Sequence, residues 1–280
     1  MRNDDFTSHF RIPTELSLWL WMALGLWATA KAQEPTNLAT TTLTIRSDFP
    51  GGNIIVEKIE DNVVKLRQDE RDTARFWFYW CFKIQGAEGR RVRFDFTQGN
   101  VFGNRGPAVS NDDGQSWNWL GLDACDGDSF SYSFAATERS VLFAFAVPYT
   151  EANLDEFLKR HEKHPAMLRQ ELVRSANRRL VELVRSGRID GHARHRVLLT
   201  ARQHACESIA NFVLEGIWES VLEDSELGRW ICEHVEILSV PFIDKDGVEA
   251  GDQGKMRQPY DHWLDYQADS RYPESRALRY

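Results

Sequence analysis

VLLTARQHACESIANFVLEGI, Val197 to Ile217, is the stretch whose reading decides the fold. It opens on a continuous apolar run of the kind a buried strand carries, and it resumes as SIANFVLEGIWESVLE, whose apolar residues recur at helical spacing. VEILSVPFID, Val235 to Asp244, is a second buried-type strand. Strand, helix and strand in this order predict an α/β unit with strands buried on both faces. His204 and Glu207 form H-x-x-E where the first strand gives way to the helix. Such folds place their sites at the carboxyl ends of strands, and one turn between the two residues lets imidazole and carboxylate converge on one cation. The spacing alone is weak, because a surface histidine followed by a glutamate complementing the helix N-terminal dipole explains it equally well.

Upstream the pattern changes. From about Thr41 to Val147, short alternating runs broken by turn residues predict an antiparallel β-sandwich. LTIRSDF, IIVEKIEDNVVKL, RFWFYWCFKI, RVRFDF, SFSYSFAA and VLFAFAVPY each read as a strand, with Phe94, Phe96, Tyr132 and Phe134 inward and Arg91, Arg93 and Asp95 outward. Asn111 to Trp117, NDDGQSW, lacks the ligand spacing of a calcium loop and reads as a tight acidic turn. Pro148 closes the sandwich and LDEFLKRH, Leu154 to His161, is a helical connector. Leu168 to Ser186 scores as helix by spacing, while VELVRS within it alternates like a strand. The fold class expected is therefore all-β followed by α/β, with a sandwich over residues 40–150 and an α/β domain over 151–280.

A chain of 280 residues with 42% apolar content is long enough for sizeable cores. The net charge of -8 is scattered, with no basic stripe, which argues against nucleic acid as a partner. The apolar run Leu16 to Ala30 falls short of the roughly 20 residues of a spanning helix. With Ala30 and Ala32 around Lys31 it reads as a signal peptide over residues 1–33, and so as export, although Asp4, Asp5 and Glu15 replace the usual positive charge before the core. Cys81, Cys125, Cys206 and Cys232 form no C-x-x-C pair and read as buried thiols, with one bridge open if the chain is exported.

VLLTARQHACESIANFVLEGI followed by VPFIDKDGVEAGDQGKMR, Val240 to Arg257, closely resembles the two opening blocks of the zinc carboxypeptidases, in particular the branch related to cytosolic carboxypeptidases. RFWFYWCFKI, SNDDGQSW and FAFAVPYT resemble the N-terminal module of the same branch. The resemblance implies a Zn2+ cofactor with His204 and Glu207 as metal ligands. It implies Arg257 as the catalytic and substrate-binding group that polarises the scissile carbonyl, and peptide or protein C-termini as substrates. A guanidinium stays charged and offers forked donors to an anionic oxygen, which suits that role.

Two departures accompany the resemblance. Trp263 and Leu264 stand where the family has an Asn-Arg pair that grips the substrate's carboxylate, and an apolar pair makes no charge-assisted bond. Met256 also stands where the branch often has a polar residue. The third zinc ligand and the catalytic glutamate are expected beyond Tyr280, which predicts a partial α/β domain with an exposed sheet edge open to a partner. His262 and Asp265, an H-x-x-D, are candidates for substitute ligands, against a plain polar loop. The alternative function is a non-catalytic protein whose sandwich presents Trp117 and Trp119 to a peptide or glycan, against their being core.

Overall fold

The computed structural model describes residues 42–75, 77–99 and 101–279, and the leader expected over residues 1–33 lies outside them. The described residues fall within one compact unit spanning Thr40–Tyr280. Its first layers are two sheets built from β1 (Thr44–Arg46), β2 (Ile55–Glu60), β3 (Val63–Arg67), β4 (Cys81–Gln85), β5 (Arg91–Phe96), β6 (Ala108–Ser110), β7 (Asn118–Trp119), β8 (Cys125–Asp126), β9 (Ser129–Ser133) and β10 (Ser140–Ala144). One sheet has the order β1-β4-β10-β6-β7 and the other β2-β3-β5-β9-β8. Alternation along β5 buries Val92, Phe94 and Phe96 and turns Arg91, Arg93 and Asp95 outward, as the period-2 pattern requires. The core between the sheets is aromatic: Trp80, Phe82, Phe94, Phe130 and Phe143 pack together, with Phe94 and Phe130 stacked at 4.6 Å.

Two expected strands are shorter than their sequence suggests. IIVEKIEDNVVKL is a hairpin, β2 and β3, turning at Asp61, whose φ of 50° is tolerated by a short polar side chain. In RFWFYWCFKI regular pairing begins only at Cys81, because side chains capture the backbone before it: Gln253 Oε1 accepts from the N–H of Phe78 (2.6 Å) and Gln68 donates to the Trp77 carbonyl (3.3 Å). NDDGQSW is a tight turn, since Asp112 accepts from the Ser116 hydroxyl (2.5 Å), the Ser116 N–H (2.9 Å) and the Ser110 hydroxyl (2.8 Å), and these bonds hold its carboxyl down at about 2.

After α1 (Glu151–Arg160) the chain forms β11 (Met167–Arg174), β12 (Leu180–Gly187), β13 (His195–Thr200), α2 (Ile209–Leu222), α3 (Glu226–His234), β14 (Val235–Val240), α4 (Lys245–Ala250) and α5 (Pro273–Arg279). The ambiguous segment is a β-hairpin, β11 and β12, in which Arg178 takes a φ of 63° and Asp246 fixes the turn through the Ser175 hydroxyl at 2.8 Å. A third sheet has the order β11-β12-β14-β13, with β13 and β14 parallel across the α2–α3 crossover. One expectation fails here. β14 is buried on both faces, but β13 is the sheet edge, with Val197 41% and Leu198 54% exposed, so its apolar run is not that of an interior strand. No helix among the described residues is long and apolar enough to cross a membrane. All four cysteines are free, Cys81 and Cys206 buried and Cys125 and Cys232 half-buried.

Candidate metal centre

The turn that carries His204 is fixed before it begins. Beyond β13, the carbonyls of Ala201 and Arg202 accept from Ile243 (3.0 Å) and Asp244 (2.8 Å), which continues the parallel pairing past the strand ends. Arg202 then turns back with a φ of 59° and buries its guanidinium, donating to the Tyr149 carbonyl (2.8 Å) and to Asn211 of α2 (2.9 Å). Gly254 closes over this turn at a φ of +82°, and a Cβ there would sit 2.6 Å from the Ala205 nitrogen and 3.1 Å from the His204 Cα, so only glycine fits.

The imidazole and carboxylate do converge. His204 Nδ1 lies 3.0 Å from Glu207 Oε1, and the His204 N–H donates to Glu207 Oε2 at 3.3 Å. Two ligands of a tetrahedral zinc with bonds of about 2.0 Å stand about 3.3 Å apart, so this nitrogen and oxygen fit a zinc ion as two of its donors. Lys255 Nζ also reaches Glu207 Oε1, at 2.8 Å. Burial works to raise the Glu207 carboxyl, but the bonds from His204 and Lys255 outweigh it and hold the group at about 2. On the other side of the ring, His204 Nε2 lies 3.3 Å from Asp261 Oδ1. Among the described residues no group of three or more His, Cys, Asp or Glu side chains is arranged around one cation position.

Arg257 is placed differently from a free electrophile. It is 8% exposed, and its guanidinium meets Asp72 (2.7 Å), Asp244 (2.8 Å) and Asp252 (2.9 Å), with His262 Nδ1 at 3.3 Å. Burial opposes its charge, yet the surrounding carboxylates, Asp244 foremost, raise its pKa. Asp72 comes from the sandwich side of the molecule, so Arg257 ties that side to the α/β sheet. The substitute-ligand pair is spoken for: His262 stacks on Tyr272 at 3.5 Å, and Asp265 accepts the N–H groups of Arg271 and Tyr272, both at 2.8 Å. Trp117 is half-buried and Trp119 is 37% exposed beneath the Arg105 guanidinium; both line a cleft of about 620 Å³ with Phe145, Ile209 and Phe212. Lys255, Asp261 and Asp244 were not singled out by sequence reasoning. Their one signal is position, within or beside the block Val240 to Arg257 that follows the H-x-x-E.

Comparison with known proteins meets this geometry. Residues 45–146 match the family model described as the cytosolic carboxypeptidase N-terminal domain. Cytosolic carboxypeptidase 6 of Caenorhabditis elegans is 27% identical over 237 residues, 75% of this chain and 51% of that protein. The mouse protein of the same name is 25% identical over 146 residues, 49% of this chain and 27% of its own length. Among solved structures, a metallo-carboxypeptidase from Burkholderia cenocepacia matches with a TM-score of 0.72 at 24% identity, over 85% of this chain and 66% of that one. One from Pseudomonas aeruginosa, in complex with (2-guanidinoethylmercapto)succinic acid, matches with a TM-score of 0.72 at 23% identity, over 84% and 65%. The chain thus spans about half or less of these curated relatives and about two thirds of the solved structures. Through the domain in residues 45–146, its named relatives and its shared architecture, the chain fits the zinc carboxypeptidase-like family.

Proposed function

We propose that the chain serves zinc-dependent hydrolysis of C-terminal residues from peptides, with His204 and Glu207 as two of the metal's ligands. The observation that carries this reading is the 3.0 Å convergence of His204 Nδ1 and Glu207 Oε1 at the end of β13. A zinc ion held there by His204 and Glu207 would supply a Lewis acid for a peptide carbonyl and for the attacking water. The chain's own part is to present the pair in a turn locked by Arg202 and Gly254, with Glu207 ionised throughout the neutral range. Lys255 shares the Glu207 oxygen, so its ammonium has to swing aside when a dication is bound there. Arg257 is the group the reading assigns to the scissile carbonyl. Its three aspartate partners set a condition: acting on a substrate oxygen means exchanging one of them. A complete centre also needs a third protein ligand and a general base.

Zinc stoichiometry on the purified protein tests the proposal. The wild type should bind one zinc per chain in an equilibrium titration, and His204→Ala should lose that binding while keeping its circular dichroism spectrum. Equal zinc in both proteins, or none in either, would remove the basis of the reading.

A further inference from the structure

Where the sandwich meets the start of α2, the cleft of about 620 Å³ opens one residue away from the candidate metal pair. Ser208, which follows Glu207 directly, forms one wall with Ile209 and Phe212 of α2, and Trp117, Trp119 and Phe145 of the sandwich form the other. The rings are held from behind. Phe145 packs on Phe78 at 4.8 Å, Phe212 meets Tyr149 edge-on at 5.2 Å, and the Trp117 Nε1–H donates to the Gly114 carbonyl (3.1 Å), so the indole spends its polar atom within the chain. The cleft is therefore formed before anything enters it, and its volume lies within the range of about 300–1,000 Å³ that encloses most of a small ligand. Ile209 stands on its rim with 71% of its surface in water.

Three polar side chains border this apolar surface, Asn104, Arg105 and Gln115, and no carboxylate does. The Arg105 guanidinium lies over the Trp119 ring at 5.8 Å and forms no ion pair with a described residue, and neither amide side chain makes a hydrogen bond to another described residue. An aromatic trough with one unpaired cation beside it suits a ligand that joins a bulky apolar group to a negative charge. A sugar suits it less, because it carries a hydroxyl on nearly every carbon and the aliphatic and aromatic walls offer few partners. A peptide approaching His204 and Glu207 advances about 3.3 Å per residue when extended, so the positions a few residues before its chain end are those that meet the wall beyond Ser208.

We propose that this cleft holds the part of the peptide upstream of the cleaved bond and selects a bulky apolar side chain there, with an acidic neighbour set against Arg105. The inference rests on the reading of the adjoining site as one that acts on peptide C-termini, and it deepens that reading by naming what the peptide carries further in.

The test is calorimetric titration of the zinc-stripped protein, in which no turnover competes, with acetyl-Asp-Trp-Ala-Ala-Leu and with the same peptide carrying Ala for Trp or Lys for Asp, all ending in a free carboxylate. The Trp peptide should bind about tenfold more tightly than the Ala peptide. Trp119→Ala should abolish that difference, and Arg105→Gln should remove a preference of about two- to fivefold for Asp over Lys. Ile209→Ser, at so exposed a position, should weaken the Trp peptide while keeping the wild-type melting temperature, and it decides if Trp119→Ala does not fold. Equal affinity for the Trp and Ala peptides, a Trp preference unchanged in the folded variants, an Asp preference unchanged in Arg105→Gln, no binding of any of the peptides, or tighter binding of cellohexaose than of the Trp peptide would each overturn the proposal. A protein that keeps the Trp preference but binds no zinc in titration would sink the metal reading and leave this one standing, and zinc binding lost in His204→Ala without any Trp preference would do the reverse.

Discussion

At the scale of single residues, the most constrained group near the site is Arg257. Its guanidinium joins Asp72, Asp244 and Asp252, so one positive charge compensates three nearby negative ones. Removing it takes the ion-pair partner from Asp244, which is 1% exposed, although Asp252 keeps Arg71 at 2.6 Å, whereas loss of an exposed ion pair would cost little. Arg257→Gln should therefore lower unfolding free energy by about 3–5 kcal/mol in urea titration. A loss below about 1 kcal/mol would mean that the cluster is loosely held and solvated. The approach of His204 to Glu207 was legible from spacing, because one helical turn separates the two positions of H-x-x-E. The aspartate clamp was not, since Asp72 and Arg257 are brought together only by the fold.

Among the elements, α5 carries a second buried carboxyl. Glu274 is 3% exposed, its Oε2 has no hydrogen-bond partner, and burial, reinforced by Asp246 and Asp244, pushes it up from 4.5 to about 7. The folded protein thus holds a proton that the unfolded chain has already released above pH 4.5. Stability then falls as pH rises from about 4.5 to about 7 and levels off above that, a change on the order of 3 kcal/mol. Glu274→Gln should flatten this part of the melting curve against pH; an identical pH dependence in both proteins would show the carboxyl to be solvated.

The sequence was least informative where side chains capture the backbone or where an element has a free edge. Alternation revealed β5 and β9, but could not show that Gln253 and Gln68 would hold residues 77 and 78 out of the ladder. The apolar run of β13 looked like an interior strand because local composition does not say how many neighbours a strand has. α3 and α4 were missed too, although their N-caps are readable: Ser225 and Asp244 accept from Gly228 and Gly247, three positions on.

For the molecule as a whole, the sandwich acts as more than an adjacent domain. The segment that follows α4 is stitched to it by the Arg71–Asp252 ion pair (2.6 Å), by the Asn53 amide on the Gly251 carbonyl (2.9 Å), by Gln253 on Phe78 and by Arg257 on Asp72. That same segment places Gly254 over the His204 turn and Lys255 on Glu207. Its position over the His204 turn thus depends on contacts with the sandwich residues Asn53, Arg71, Asp72 and Phe78.

The central claim is that the end of β13 holds a zinc ion, and anomalous diffraction at the zinc edge from crystals of the zinc-loaded protein addresses it without recourse to activity. The account predicts a single strong peak about 2.0 Å from His204 Nδ1 and within bonding distance of Glu207, with the Lys255 ammonium withdrawn. A peak elsewhere, or a zinc-loaded crystal in which Lys255 still bridges Glu207 and no anomalous density lies between His204 and Glu207, would contradict it.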